Sequence, residues 1–180
     1  ENIYDHYLSE GAADRMCAYL KERWENPGSR YHVMKEMFAC LHKLEVLSAD
    51  WPKKVRHYEK VLFGGGRKQY EALHQYRMPD KIAEQLLSYF IYVYFAGAVY
   101  DGMPYSKVKL AVISTMLIED MVCAKAAEKG QLSFEAIADA AHSYAREVEH
   151  SDLNLQRLSI MFRHQKCFHI GRLCGALLEW

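Results

Sequence analysis

Apolar residues recur every three or four positions along almost the whole chain, and no stretch alternates polar with apolar as a half-buried strand does. The spacing predicts a first helix over Ser9 to Trp24, closed by Asn26, Pro27 and Gly28. A second is expected from Arg30 to Leu47, with Val33, Met37, Cys40, Leu41 and Leu44 on one stripe. Asp50 is placed to cap a third helix, with Pro52 just inside it, where a missing N–H costs little. That helix should end before Gly64-Gly65-Gly66, and a short fourth should hold Gln69 to Gln75.

Two longer segments follow. One runs from Pro79 to Tyr100 and includes LLSYFIYVYFAGAVY, Leu86 to Tyr100, without a charge. A bilayer span needs about 20 mostly apolar residues, so this run reads as too short to span and as a helix buried inside a bundle. The turn Asp101-Gly102-Met103-Pro104 leads into the other, which Gly130 stops after Lys129. Val108, Ala111, Val112, Thr115, Ile118 and Val122 are its expected apolar positions. Ser133 should cap a further helix, with Phe134, Ile137, Ala138, Ala141, Tyr144, Ala145 and Val148 inward. Ser151 should start another, with Leu155, Leu158 and Phe162 inward, and a last turn or two lies between Phe168 and Leu178. The pattern implies an all-α fold: one domain over residues 1–180, a bundle of about seven to nine helices around a central apolar hairpin of residues 79–100 and 104–129.

Composition narrows the function classes. With 23 Lys+Arg against 23 Asp+Glu the formal net charge is zero, so no basic excess exists to drive nucleic-acid binding. Hydrophobic residues at 51% argue against disorder. The five cysteines, at 17, 40, 123, 167 and 174, are odd in number and lack CxxC spacing; they read as reduced thiols of a cytoplasmic protein. The chain opens at Glu1 without an initiator Met, which reads as the C-terminal part of a longer protein.

Several clusters were weighed for chemistry. Gly64-Gly65-Gly66 lacks the preceding strand and spacing of a phosphate cradle and reads as a helix connector. His164, Cys167, His169 and Cys174 do not match a zinc pattern. Glu147-x-x-His150 has di-iron spacing, but without a second copy no metal is expected. Arg146 can meet His142, Glu149 or His150 on what reads as a solvated, ion-paired face. Tyr89, Tyr92, Tyr94, Tyr100 and Tyr105 are either core packing, the reading adopted, or the wall of a pocket for a cation or planar ligand. Asp101 and Lys107 flank the hairpin turn and read as caps before ligand contacts.

Three segments carry a resemblance: YFIYVYFAGAVYDGMPYSKVKLAVISTMLIEDM (Tyr89 to Met121), YAREVEHSDLNLQRL (Tyr144 to Leu158) and LEVLSADW (Leu44 to Trp51). Together they resemble the C-terminal half of the bacterial flagellin lysine-N-methylase family. That resemblance implies methyl transfer from S-adenosylmethionine to lysine ε-amines of flagellin. It also implies an iron–sulfur cluster held by cysteines of an N-terminal half, a cluster this chain does not reproduce. This segment would then dock substrate or support the site, with flagellin and its own N-terminal half as partners, without nucleic acid or membrane, and with a homodimer as a further possibility. A sulfonium needs aromatic faces or carboxylates beside it. Tyr89, Tyr92, Tyr94, Asp101, Lys107, Arg146, Glu147, Glu149 and His150 are the candidates by chemistry. Two other readings stay open: a helical ligand-binding or dimerisation domain of a regulator, and a non-catalytic structural bundle.

Overall fold

The computed structural model describes residues 9–23 and 29–179. The expected break at Asn26-Pro27-Gly28, Trp24 and the start at Glu1 lie outside the described residues. The helices are α1 (Ala12–Arg23), α2 (Arg30–Leu41), α3 (Trp51–Phe63), α4 (Gly66–Leu73), α5 (Asp80–Tyr94), α6 (Ala98–Asp101), α7 (Pro104–Lys129), α8 (Phe134–Tyr144), α9 (Asp152–His164) and α10 (Ile170–Leu178). Tight single turns join several of them, at His74–Tyr76, Phe95–Gly97 and Lys166–Phe168, and a wide π turn, Ala145–Glu149, follows α8. No strand occurs among the described residues. The all-α expectation holds.

The centre is α7. Pro104 starts it, and Gly130, at φ +70°, accepts the left-handed conformation that ends it. At 26 residues it runs about 39 Å. From Lys109 to Ala126 it is buried on nearly every side, beneath α3, α5, α8 and α9. The expected single stripe was therefore too narrow, and Val108, expected inward, is exposed.

The other arm of the expected central hairpin is not central. Its inner stripe, Ile82, Ala83, Leu86, Leu87, Phe90 and Tyr94, lies on α7 at helical spacing. Nothing among the described residues covers the outer side, so Ile91, Val93 and Phe95 are exposed, with Tyr92 at 87%, Val99 at 85% and Tyr100 at 92%. An all-round apolar helix was read as a buried one; here one face packs and the other does not. The length argument also fails, because Asp80–Asp101 is by length and composition long and apolar enough to cross a membrane, with an 18-residue window of mean hydropathy 1.3.

Three further expectations shift. The second helix stops at Leu41, and residues 42–50 form a loop whose backbone is held from across the chain, as described below. Asp50 does not cap α3; its carboxylate takes Lys54 at 2.7 Å and the Ser48 hydroxyl at 2.6 Å instead. The inward face of α8 is rotated, with Ala136, Ile137, Ala140 and Tyr144 buried and Phe134 77% exposed. The caps at Ser133 and Ser151 form as expected, each hydroxyl accepting the N–H three residues on. Gly66, at φ +80°, makes the helix connector expected of the glycine run.

Candidate functional site

The sequence Leu117-Ile118-Glu119-Asp120-Met121 puts two acids in the buried middle of α7. Carboxylates leave water only when something replaces it. Arg30, 2% exposed at the start of α2, supplies that replacement: its Nη2 reaches Asp120 Oδ1 at 3.1 Å and Glu119 Oε2 at 3.3 Å. The Tyr70 hydroxyl of α4 donates to Asp120 Oδ2 at 2.8 Å. Arg77, after the His74–Tyr76 turn, places Nε 3.3 Å from Glu119 Oε1. The second guanidinium nitrogen of Arg30 donates to the Ala176 carbonyl of α10 at 3.5 Å. One knot thus ties α2, α4, α7 and α10 together.

Glu119 and Arg77 also face a cavity of about 320 Å³ between α5 and α7. Its walls are Ala83, Leu87, Val112, Thr115, Met116 and Leu177, with Glu84 on its lining as well. A mostly apolar pocket with few convergent polar groups is the usual form of a ligand site. Burial pushes the Glu119 and Asp120 carboxyls up, while Arg30 pulls each back down. Burial first, then the charges of Arg30 and Arg77, push His74 down to about 4. Perturbed groups beside a cavity mark candidate sites.

The residues singled out from the sequence go elsewhere. Tyr89 and Tyr94 do converge, both donating to Glu149 Oε2 at 3.0 Å and tying α5 to the π turn. Burial raises both phenols, and the Glu149 charge raises them further. Asp101 pairs with Lys107 at 2.7 Å and takes the Met103 N–H at 2.9 Å, closing the turn before α7 without capping the helix itself. Arg146 meets Ser48 at 2.7 Å and Asp50 and Glu147 at 3.6 Å, rather than His142, Glu149 or His150. Glu147, expected on a solvated face, is 1% exposed; its Oε2 accepts the N–H groups of Leu47 at 3.0 Å and Ser48 at 3.1 Å. His150 is exposed, and Tyr92 and Tyr100 point outward. Tyr92 and Tyr100 therefore do not join Tyr89 and Tyr94 around one enclosed space. Among the described residues, no group of three or more His, Cys, Asp or Glu side chains is placed to hold a metal ion.

Comparison with protein families matches residues 1–176 to the FliB lysine N-methylase C-terminal domain. The chain belongs to this family. Comparison with curated proteins and with solved structures gives no match. The flagellin lysine-N-methylase resemblance read from the sequence is thus supported at the level of the family, across nearly the whole chain.

In this FliB C-terminal domain, sequence reasoning missed Arg30, Tyr70, Arg77, Glu119 and Asp120. One signal was available: an adjacent acid pair inside a helix that is otherwise uncharged over Leu110 to Ala124. Such a pair demands a buried cation, yet nothing local says which of the domain's many arginines supplies it.

His74 yields a test of the site's electrostatics. Its pKa falls from an ordinary 6.5 to about 4 on folding. The unfolded chain therefore binds the proton more readily between those values, and stability present above pH 6.5 is lost as pH falls toward 4. A fully buried group would lose about 1.4 kcal/mol per pH unit at the steepest; half-exposed His74 should lose about 1–2 kcal/mol in all. Denaturant unfolding of the wild-type and His74→Leu proteins, compared from pH 7.5 to 4.5, should show the difference shifting by that amount in favour of the variant. A pH-independent difference rules this reading out.

Proposed function

We propose that this domain receives the lysyl side chain of flagellin in a flagellin lysine N-methylase, at the cavity between α5 and α7. The observation that carries the reading is Glu119, a buried carboxylate on the wall of an apolar slot, with guanidinium groups on both its oxygens. The slot suits an aliphatic stem, which would lie along Ala83, Leu87, Val112 and Met116. Methyl transfer requires the neutral amine, because the attacking lone pair is absent from the ammonium. Apolar walls and the positive charge of Arg77 both disfavour a second cation there. Glu119, whose carboxyl burial has raised, is the group that takes the proton. The methyl group is expected from S-adenosylmethionine, and no residue of this chain is assigned to it.

The test uses the intact methylase with flagellin, followed by intact-mass spectrometry. Glu119→Gln keeps the shape and removes the base, and should lower the methylation rate by about 100-fold or more. Val112→Phe narrows the slot and should raise KM while leaving the Glu119 network in place. Both variants should retain native helicity and cooperative melting. Folded variants that methylate flagellin at the wild-type rate and KM would exclude the cavity as the lysyl site.

A further inference from the structure

A second cavity, of about 310 Å³, lies near the other end of α7, lined by Tyr105, Ser106, Lys109, Phe162, Arg163, His169 and Ile170. Lys109 sits ten residues before Glu119 in the same helix, about 15 Å away along its axis. The two cavities share no lining residue.

Lys109 is an unusual residue to bury. It is 7% exposed, and among the described residues no carboxylate stands within ion-pair distance of its ammonium. Its Nζ donates to the Phe162 carbonyl at 2.9 Å and lies 4.5 Å from the centre of the Tyr105 ring. An ammonium has three donors, and these two contacts leave capacity unused. Burial alone lowers its pKa, which agrees with the lack of a neighbouring acid. The other basic groups of the cavity, Arg163 and His169, are exposed at its edge. Arg163 also contacts the Met103 thioether and feels the charge of Asp101, which is itself paired with Lys107. Among the described residues, no acid lines the cavity. Its apolar lining is Phe162, Ile170 and the Tyr105 ring.

Capping α9 explains the contact with the Phe162 carbonyl. It does not explain why the capping group is a buried lysine opening on a cavity with two more basic residues and no acid. A buried cation is ordinarily compensated by an anion, and among the described residues none stands within ion-pair distance of Lys109. We propose that this cavity binds an organic oxyanion, a carboxylate or phosphate carried on a small apolar or aromatic body. Lys109 and the Ser106 hydroxyl would hold the oxyanion, Arg163 and His169 would draw it in, and Tyr105, Phe162 and Ile170 would hold the body.

Isothermal titration calorimetry on the intact protein, at fixed ionic strength, tests this with benzoate, phenyl phosphate and inorganic phosphate as probes. Saturable one-to-one binding of benzoate or phenyl phosphate is expected, with inorganic phosphate weaker by at least about tenfold because it leaves the apolar wall unused. The tighter organic probe identifies the head group. Lys109→Met should abolish the binding. Because that variant also loses an α9 contact, Arg163→Gln/His169→Gln serves as the second variant; both positions are exposed, so the fold should stand while affinity falls by about fivefold or more. Absence of saturable binding by either organic probe, or unchanged affinity in the double variant, overturns the proposal.

Discussion

Arg30→Met is expected to lower the unfolding free energy by about 3–5 kcal/mol, the cost of stranding buried charge. Two carboxylates, Glu119 at 6% and Asp120 at 1% exposure, would lose the guanidinium they share. Met fills similar volume, so the loss is electrostatic rather than a cavity effect. The variant carries its own internal control. Burial already raises both carboxyls, and removing Arg30, which lowers them, raises them further. An acid raised on folding contributes stability below its unfolded pKa and loses it as pH climbs through the folded value. The deficit of Arg30→Met should therefore shrink as pH falls from 7 toward 4. Adding Asp120→Asn to Arg30→Met should recover part of the loss at neutral pH, since the two residues are in contact and should couple. Chemical denaturation at pH 7 and 4.5 decides: a deficit below about 1 kcal/mol, or one that grows on acidification, would mean that Arg30 does not neutralise this pair.

Asn154→Leu should cost about 2–4 kcal/mol, and more than its size suggests. Asn154 is fully buried under the loop 42–50. Its Oδ1 accepts the Glu45 N–H at 2.6 Å, and its Nδ2 donates to the carbonyls of Glu45 at 3.0 Å and Glu147 at 2.7 Å. Leucine has similar bulk but satisfies none of these three backbone groups, and each orphaned buried group costs about 1–3 kcal/mol, less whatever water can reach. The same loop hangs from Glu147 through the Leu47 and Ser48 N–H groups. Hydrogen exchange should therefore report the damage locally, with protection lost at Glu45, Leu47 and Ser48 before α7 is touched. Uniform loss across the domain, or a cost under about 1 kcal/mol, would show that the loop is held by something else. Glu147 and Asn154, respectively about 100 and 109 residues from the loop groups they bind, also account for the early end of α2. A continuous helix through residues 42–47 would consume internally the backbone groups that these side chains bind.

The contrast between Glu147 and Glu119 shows where reading the chain stops. Glu147 lies in a visibly charged run and was weighed as a site residue, yet both of its backbone contacts are structural. Glu119 lies in an apolar run, where its charge has to be compensated from a distance, and it lines the cavity between α5 and α7. Charge density along the sequence does not show which of these acids is buried, and both are. The tyrosines misled in a similar way. Tyr89 and Tyr94 share Glu149, but Tyr92 and Tyr100 face outward from the same segment, because packing decides which face of an all-round apolar helix is covered.

Local chemistry alone determined that this chain is helical, where α7 begins and ends, and where α8 and α9 begin. Pro104, Gly130, Ser133 and Ser151 act through backbone groups within a turn of themselves, so their effect is written beside them. The family resemblance was likewise legible from short runs of sequence. Tertiary structure alone decided that α7 is the centre, that α5 lies outside it, and that Arg30 meets Glu119 and Asp120 across some ninety residues. Helical periodicity fixes which side chains share a face, but which neighbour covers that face depends on three-dimensional packing. The compensation of buried charge depends on distance through space, which carries no local signature along the chain.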